Sequence, residues 1–213
     1  MSFHHFPSDF VYWDKVENHN EIKNHLLPII LKKNEENKNN PFDTCLFNTS
    51  YFIDGKRMNM ENIFLHDEKL VETIIFEHLT IMIKKYNSLG MHQINLGASI
   101  LETAWWNMYE KNHYQEHHDH SSPALSIDGN IFYPSFSMIY ILHDENEKSG
   151  IVFKKYAPQP LISPFSEYLF QTSEHENIKE GTILIFPYNL GHLVKPCIKP
   201  GRITIAFNMF STY

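Results

Sequence analysis

Positions 117 to 120 read His-His-Asp-His, three imidazoles and a carboxylate in four residues. Each is a side chain that can hold a transition-metal ion, the imidazoles when neutral and the aspartate when ionised. If this run is extended, residues two apart share a face. His118 and His120 then make one ligand pair, and His117 and Asp119 make another on the opposite face. Either pair needs a third donor, and His192 in "FPYNLGHLVKP" follows an apolar run and a turn. Three protein ligands leave coordination positions open, which is the pattern of a catalytic metal rather than a structural one. Two imidazoles with one carboxylate suit Fe(II); three imidazoles suit Fe(II) and zinc alike.

Ten positions after His192, Arg202 opens the run "RITIAFNMF". In a strand, Arg202, Thr204, Ala206 and Asn208 share one face, with Ile203, Ile205 and Phe207 on the other. An arginine pointing inward among apolar residues needs a partner. A carboxylate held bidentately is the natural one, with the Thr204 hydroxyl adding a hydrogen bond. Hydrolase patterns fit worse. A His-x-His-x-Asp site would need an acid at position 122, which is Ser, and there is no HExxH, glycine-rich phosphate loop or GxSxG elbow.

Two kinds of element must position these residues. "NEIKNHLLPIILKK" (20–33) carries apolar residues at helical spacing, with Pro28 expected to end or kink the helix. "DEKLVETIIFEHLTIMIKKYNSLG" (67–90) has acids in its first turn, Leu70, Val71, Ile74, Ile75, Leu79 and Met82 on one stripe, lysines near its end and Gly90 as a stop. From residue 99 the period changes. "ASILETAWWNMYE", "SFSMIYILHD", "SGIVFKKY", "GTILIFP" and "GRITIAFNMF" are short apolar or alternating runs bounded by turn residues. Five such runs predict a β-sandwich or small barrel. The expected architecture is mainly β with N-terminal helices packed on one face. It forms one domain over 1–213, divided into a helical and loop support region at 1–98 and a catalytic β core at 99–213.

The 213 residues suffice for one sizeable core, and 42% hydrophobic content suits a globular chain. A formal charge of −7 without a basic block argues against a nucleic-acid partner. No apolar run reaches spanning length, so no membrane partner is expected. Cys45 and Cys197 form no CxxC pair, and with no signal-peptide layout in "MSFHHFPSDF" the expected location is cytoplasmic. Aromatic-rich strands would be able to pair across a homodimer, although nothing in the pattern requires it.

The order His-x-Asp or His-x-His, a distal His, then Arg-x-Ser/Thr ten residues later resembles the Fe(II)- and 2-oxoglutarate-dependent oxygenases. More narrowly, "AWWNMYEKNHYQEHHDH…FSMIYIL…SGIVF…GTILIFPYNLGHLVKP…GRITIAFN" looks like the small 2-oxoglutarate oxygenases common in marine phage and bacterial genomes, over roughly residues 99 to 213. The resemblance implies a double-stranded β-helix, or jelly roll, with Fe(II) at one open end, 2-oxoglutarate as cosubstrate and O2 as oxidant. An unidentified primary substrate would be hydroxylated with release of succinate and CO2, in the host cytoplasm if the chain is phage-encoded. Carried over residue by residue, the metal ligands are His118, His120 and His192, with His120 standing where the wider superfamily has Asp or Glu. Arg202 and Thr204 would hold the distal carboxylate of 2-oxoglutarate. Tyr109 matches a strand tyrosine that reaches the same carboxylate, and Asn107 shares its face. The loops at 121–135, with its Asp128-Gly129 turn, and at 157–180 are the expected substrate contacts. Competing expectations are a three-His dioxygenase that does not use 2-oxoglutarate, and a jelly-roll binding or structural module without catalysis.

Overall fold

The computed structural model describes residues 2–6, 9–36, 47–53, 56–57, 72–90, 93–145, 150–156 and 167–212. All five apolar runs of the second half are strands: β6 (Ser99–Tyr109), β9 (Asn130–His143), β10 (Ile151–Tyr156), β12 (Thr182–Pro187) and β14 (Arg202–Ser211). Short strands complete the set after residue 99: β7 (Gln115–His118), β8 (Leu125–Ile127), β11 (Glu167–Gln171) and β13 (His192–Val194). The first half adds β1 (Ser2–Phe6), β2 (Asp9–Lys15), β3 (Asn48–Thr49), β4 (Phe52–Ile53) and β5 (Lys56–Arg57). Its described residues also form helices α1 (His19–Glu36) and α2 (Glu77–Ser88).

Two antiparallel sheets carry the architecture. The larger runs β1-β2-β12-β9-β14-β6-β3, with β8 folded back on β9; the smaller runs β11-β10-β13-β7. Strand alternation sorts the side chains of the larger sheet into two cores. Tyr12, Trp106, Met138, Tyr140, Ile185, Ile205 and Phe207 pack outward against Leu26 and Ile30 of α1 and Leu79 and Met82 of α2. Val11, Trp13, Tyr109, Ile139, Ile141, Leu184 and Phe186 face the other way and meet Ile151, Phe153, Phe170 and Val194 of the smaller sheet. The site lies between the sheets, on this second face.

Several expectations are corrected. The chain does not begin with helices: β1 and β2 open it, and β2 pairs with β12 from Thr182↔Lys15 to Ile185↔Tyr12, so the N-terminus is part of the larger sheet. "DFVYW" alternates outward and inward residues that are all buried apart from Asp9, which hides the period-2 signal among apolar residues on both faces. Pro28 lies inside α1 and does not end it. The second helix enters through a π-helical turn, Glu72–Phe76, while Leu70 and Val71 lie outside the described residues. Gly90 has φ +70, the left-handed conformation that stops a helix.

Asp128 (φ +49) and Gly129 (φ +79) form the two-residue turn between β8 and β9, whose register Ile127↔Asn130 makes a tight hairpin. Of the 157–180 loop, 157–166 lie outside the described residues, and 167–171 are β11. Cys197 is a buried free thiol; Cys45 lies outside the described residues. No described helix is long and apolar enough to cross a membrane.

Candidate metal centre

β7 and β13 are neighbours in the smaller sheet, and their register sets His118 directly opposite His192. On its other side β13 pairs with β10, which puts Phe153 opposite His192. His120 lies just past the end of β7, where its N–H donates to the Tyr188 carbonyl at 2.9 Å and ties that segment to the turn before β13. The ring centroids are 4.2 Å apart for His118 and His192, 5.0 Å for His120 and His192, and 5.4 Å for His118 and His120. One ring nitrogen of each lies within 4.8 Å of the others, and this is the group among the described residues whose spacing suits a metal ion.

The tautomers are fixed by what the other nitrogens touch. Nδ1 of His118 lies 2.8 Å from the Glu116 carbonyl, and Nδ1 of His192 lies 3.1 Å from the Leu190 carbonyl. Nδ1 of His120 lies 2.8 Å from Asn208 Oδ1, which also accepts from the Ser137 hydroxyl at 3.1 Å. Carbonyl oxygens only accept, so each Nδ1 carries the proton and donates it. Each Nε2 is then left with its lone pair, the arrangement a metal needs from neutral imidazole. His192 is 1% exposed, while the other two are partly exposed. Burial pushes all three below the ordinary imidazole value, His120 to about 4 and His192 well below, which favours the neutral rings that a metal ion would need. The donor set fits a borderline divalent ion, Fe(II) or zinc.

His117 and Asp119 are exposed and face away. Asp119 Oδ1 accepts from the Ser121 N–H at 2.9 Å, and the His117 ring lies against Gly191, where an added Cβ would come within 2.5 Å of Nε2. Trp105 packs on His120, with centroids 5.5 Å apart.

The space beside the triad is about 10 Å³, bounded by Asn107, Tyr109, Gln115, Ile139 and Thr204 among others. Asn107 Oδ1 accepts from the Thr49 hydroxyl at 2.7 Å. The Tyr109 hydroxyl donates to Gln115 Oε1 at 3.0 Å. Thr204, Asn107 and Tyr109 are thus gathered at the triad. Arg202 is not in that wall. It is 1% exposed and lines a neighbouring cavity of about 530 Å³ with Asp144, Glu174, Glu180 and Ile141, its Nε 3.6 Å from Asp144 Oδ2. The two spaces follow one another along the same strands: β9 gives Ile139 to the first and Ile141 to the second, and β14 gives Thr204 and then Arg202. Between Ile203 and Thr204, the β9 partner steps from His143 to Ile141, a bulge that changes the strand's course between the two spaces.

The overall architecture has known counterparts. A Pseudomonas putida prolyl-4-hydroxylase superposes with a TM-score of 0.53 over 95% of this chain and 91% of its own, at 13% identity. This chain shares its fold with that hydroxylase. A viral collagen prolyl hydroxylase from Paramecium Bursaria Chlorella virus-1 matches at 0.50 over 94% and 97%, also at 13% identity. AviO1 from Streptomyces viridochromogenes Tue57 matches at 0.50 over 92% and 86%, at 9% identity. No protein-family model and no curated protein matches the sequence.

One residue of the site escaped the sequence reading: Asn208 was visible only as one more inward position of β14, and its partner is 88 positions away in the chain. Gln115 was visible within the run "YQEHHDH", but not as a neighbour of both Tyr109 and His118.

Proposed function

We propose that this one-domain chain is an Fe(II)- and 2-oxoglutarate-dependent dioxygenase with a jelly-roll core, which hydroxylates a still unidentified substrate and releases succinate and CO2. The observation that carries the reading is the triad: three imidazoles in reach of one ion, each with Nδ1 committed to an oxygen and Nε2 directed by that commitment. His118, His120 and His192 would hold the iron, which with 2-oxoglutarate and O2 supplies the oxidising chemistry when bound. Three side-chain ligands leave positions for cosubstrate, unlike a closed four-ligand structural site. Thr204, Asn107 and Tyr109 offer hydrogen bonds to the cosubstrate from the pocket wall. Arg202 is the cation for its distal carboxylate, and holding both ends of a small molecule orients it before reaction. A protein of the same fold has been solved with 2-oxoglutarate bound.

A second reading draws on Arg202 itself. Its guanidinium lies beside Asp144 in the neighbouring cavity, which a three-His dioxygenase without 2-oxoglutarate would permit. Thermal unfolding separates the two. A ligand that binds only the native state at about 100 times its Kd adds about 2.7 kcal/mol. We expect Mn(II) alone to raise the melting temperature, 2-oxoglutarate to raise it further only when metal is present, and Arg202→Ala to remove the second rise but not the first. His192→Ala should remove both, whereas His117→Ala should remove neither. Stabilisation by metal with no response to 2-oxoglutarate would select the second reading.

A further inference from the structure

The wall of the triad pocket contains one side chain whose two polar atoms are both engaged with groups the ligands would need. Gln115 Nε2 lies 3.1 Å from Nε2 of His118. Because Nδ1 of His118 donates to the Glu116 carbonyl, that Nε2 is an acceptor, and the Gln115 amide must be donating to it. The lone pair covered by Gln115 is the one a metal would take. At its other end, Gln115 Oε1 accepts from the Tyr109 hydroxyl at 3.0 Å. Tyr109 is a pocket-wall donor that the cosubstrate would use. The remaining space, about 10 Å³, is roughly that of one water. A five-carbon diacid does not fit until something moves, and Gln115 is the half-buried, unbranched side chain of the wall that spans from Tyr109 to His118.

We propose that Gln115 is an internal latch, a carboxamide that caps the metal-binding nitrogen of His118 and the Tyr109 hydroxyl together and must leave both for metal and 2-oxoglutarate to bind. This rests on the function proposed above. The consequence is coupling. Whichever ligand arrives first works against the latch, and the second finds its group already released, so metal and 2-oxoglutarate tighten each other's binding. Gln115 is a positioning residue here, since it acts through His118 and Tyr109.

The sign of the effect identifies the role. A merely supporting residue next to a metal ligand weakens metal binding when removed. Removing a latch strengthens it. The experiment is calorimetric titration of the full chain with Mn(II), with and without saturating 2-oxoglutarate, for wild type, Gln115→Leu and Gln115→Asn, whose arm is too short to bridge both groups. Losing one net hydrogen bond that competes with the ligand predicts Mn(II) binding roughly fivefold tighter in both variants without 2-oxoglutarate. The factor by which 2-oxoglutarate then tightens Mn(II) should be smaller than in wild type. Equal or weaker Mn(II) binding in a variant that melts like wild type overturns the latch. If wild type binds Mn(II) but never responds to 2-oxoglutarate, the oxygenase reading falls, while the comparison in Mn(II) alone still decides whether Gln115 caps His118. If no form binds Mn(II), both ideas fall together.

Discussion

At the scale of single residues, the triad depends on oxygens that are not themselves ligands. Asn208 Oδ1 accepts from His120 Nδ1 and from Ser137, so Asn208→Leu removes the group that fixes the ring's tautomer and rotation. We expect it to lower Mn(II) affinity by about 10–100-fold while the chain still melts cooperatively, measured by calorimetric titration. Asn208 is on the β14 face identified from alternation, yet its role was invisible, because the partner reaches it across the fold rather than along the chain. The crowding and period-2 spacing of the histidines defined two alternative pairs, and the fold brings His118 and His120 together with His192.

Polar ties help to hold the elements in place, and several of them gather on Glu180. Its carboxylate accepts from Lys23 at 2.5 Å and from His19 Nε2 at 3.2 Å, both on α1. It also accepts from His143 Nδ1 at 2.9 Å and the Asp144 N–H at 3.0 Å, at the end of β9. His19 Nδ1 in turn lies 2.6 Å from the Tyr140 hydroxyl, so helix and sheet share one network. Burial pushes the Glu180 carboxyl up, but the donors from Lys23, Asp144, His19 and His143 outweigh it and hold the group at about 2. The unfolded chain, at the ordinary 4.5, therefore binds the proton more readily. Glu180 adds stability that is fully present above pH 4.5 and is lost as pH falls towards 2. Glu180→Ala should flatten that acid-side decline and lower stability at neutral pH by about 1–3 kcal/mol, measured by urea unfolding across pH. None of this was readable in advance. The helix of 20–33 was visible from its apolar stripe, but Pro28 pointed to a break that packing of Leu26 and Ile30 overrides.

For the whole molecule, the reading from sequence succeeded for apolar or alternating runs after residue 99 and failed at β2, whose buried residues on both faces hide the period-2 signal. The five runs after residue 99 each became strands, whereas β1 and β2 were missed at the start of the chain. That omission matters energetically. Phe10 and Tyr12 enter the core beneath the helices, and Val11 and Trp13 enter the core between the sheets, so β2 fastens both. Deleting residues 1–15 would bare the β12 edge and both cores at once. We expect the truncated chain to lose its cooperative thermal transition, whereas the intact chain keeps one. On the outer face, Trp106 is 2% exposed, and Trp106→Ala should cost about 3–5 kcal/mol in chemical unfolding.

The pairing of His118 with His192 across β7 and β13 has a consequence for charge. A one-residue slip of β7 carried on through the extended residues that follow it would turn His117 and Asp119 inward in place of His118 and His120, because alternate residues exchange faces. The chain therefore carries two overlapping ligand sets, one of three neutral imidazoles and one with a carboxylate. Strand register, not residue inventory, would choose between them. In the register observed, a divalent ion would keep its full double charge instead of having half of it cancelled by a side chain. A dicarboxylate arriving at such an ion meets the stronger attraction of the two, so a hydrogen-bond ladder between two short strands sets the electrostatic pull of the whole pocket.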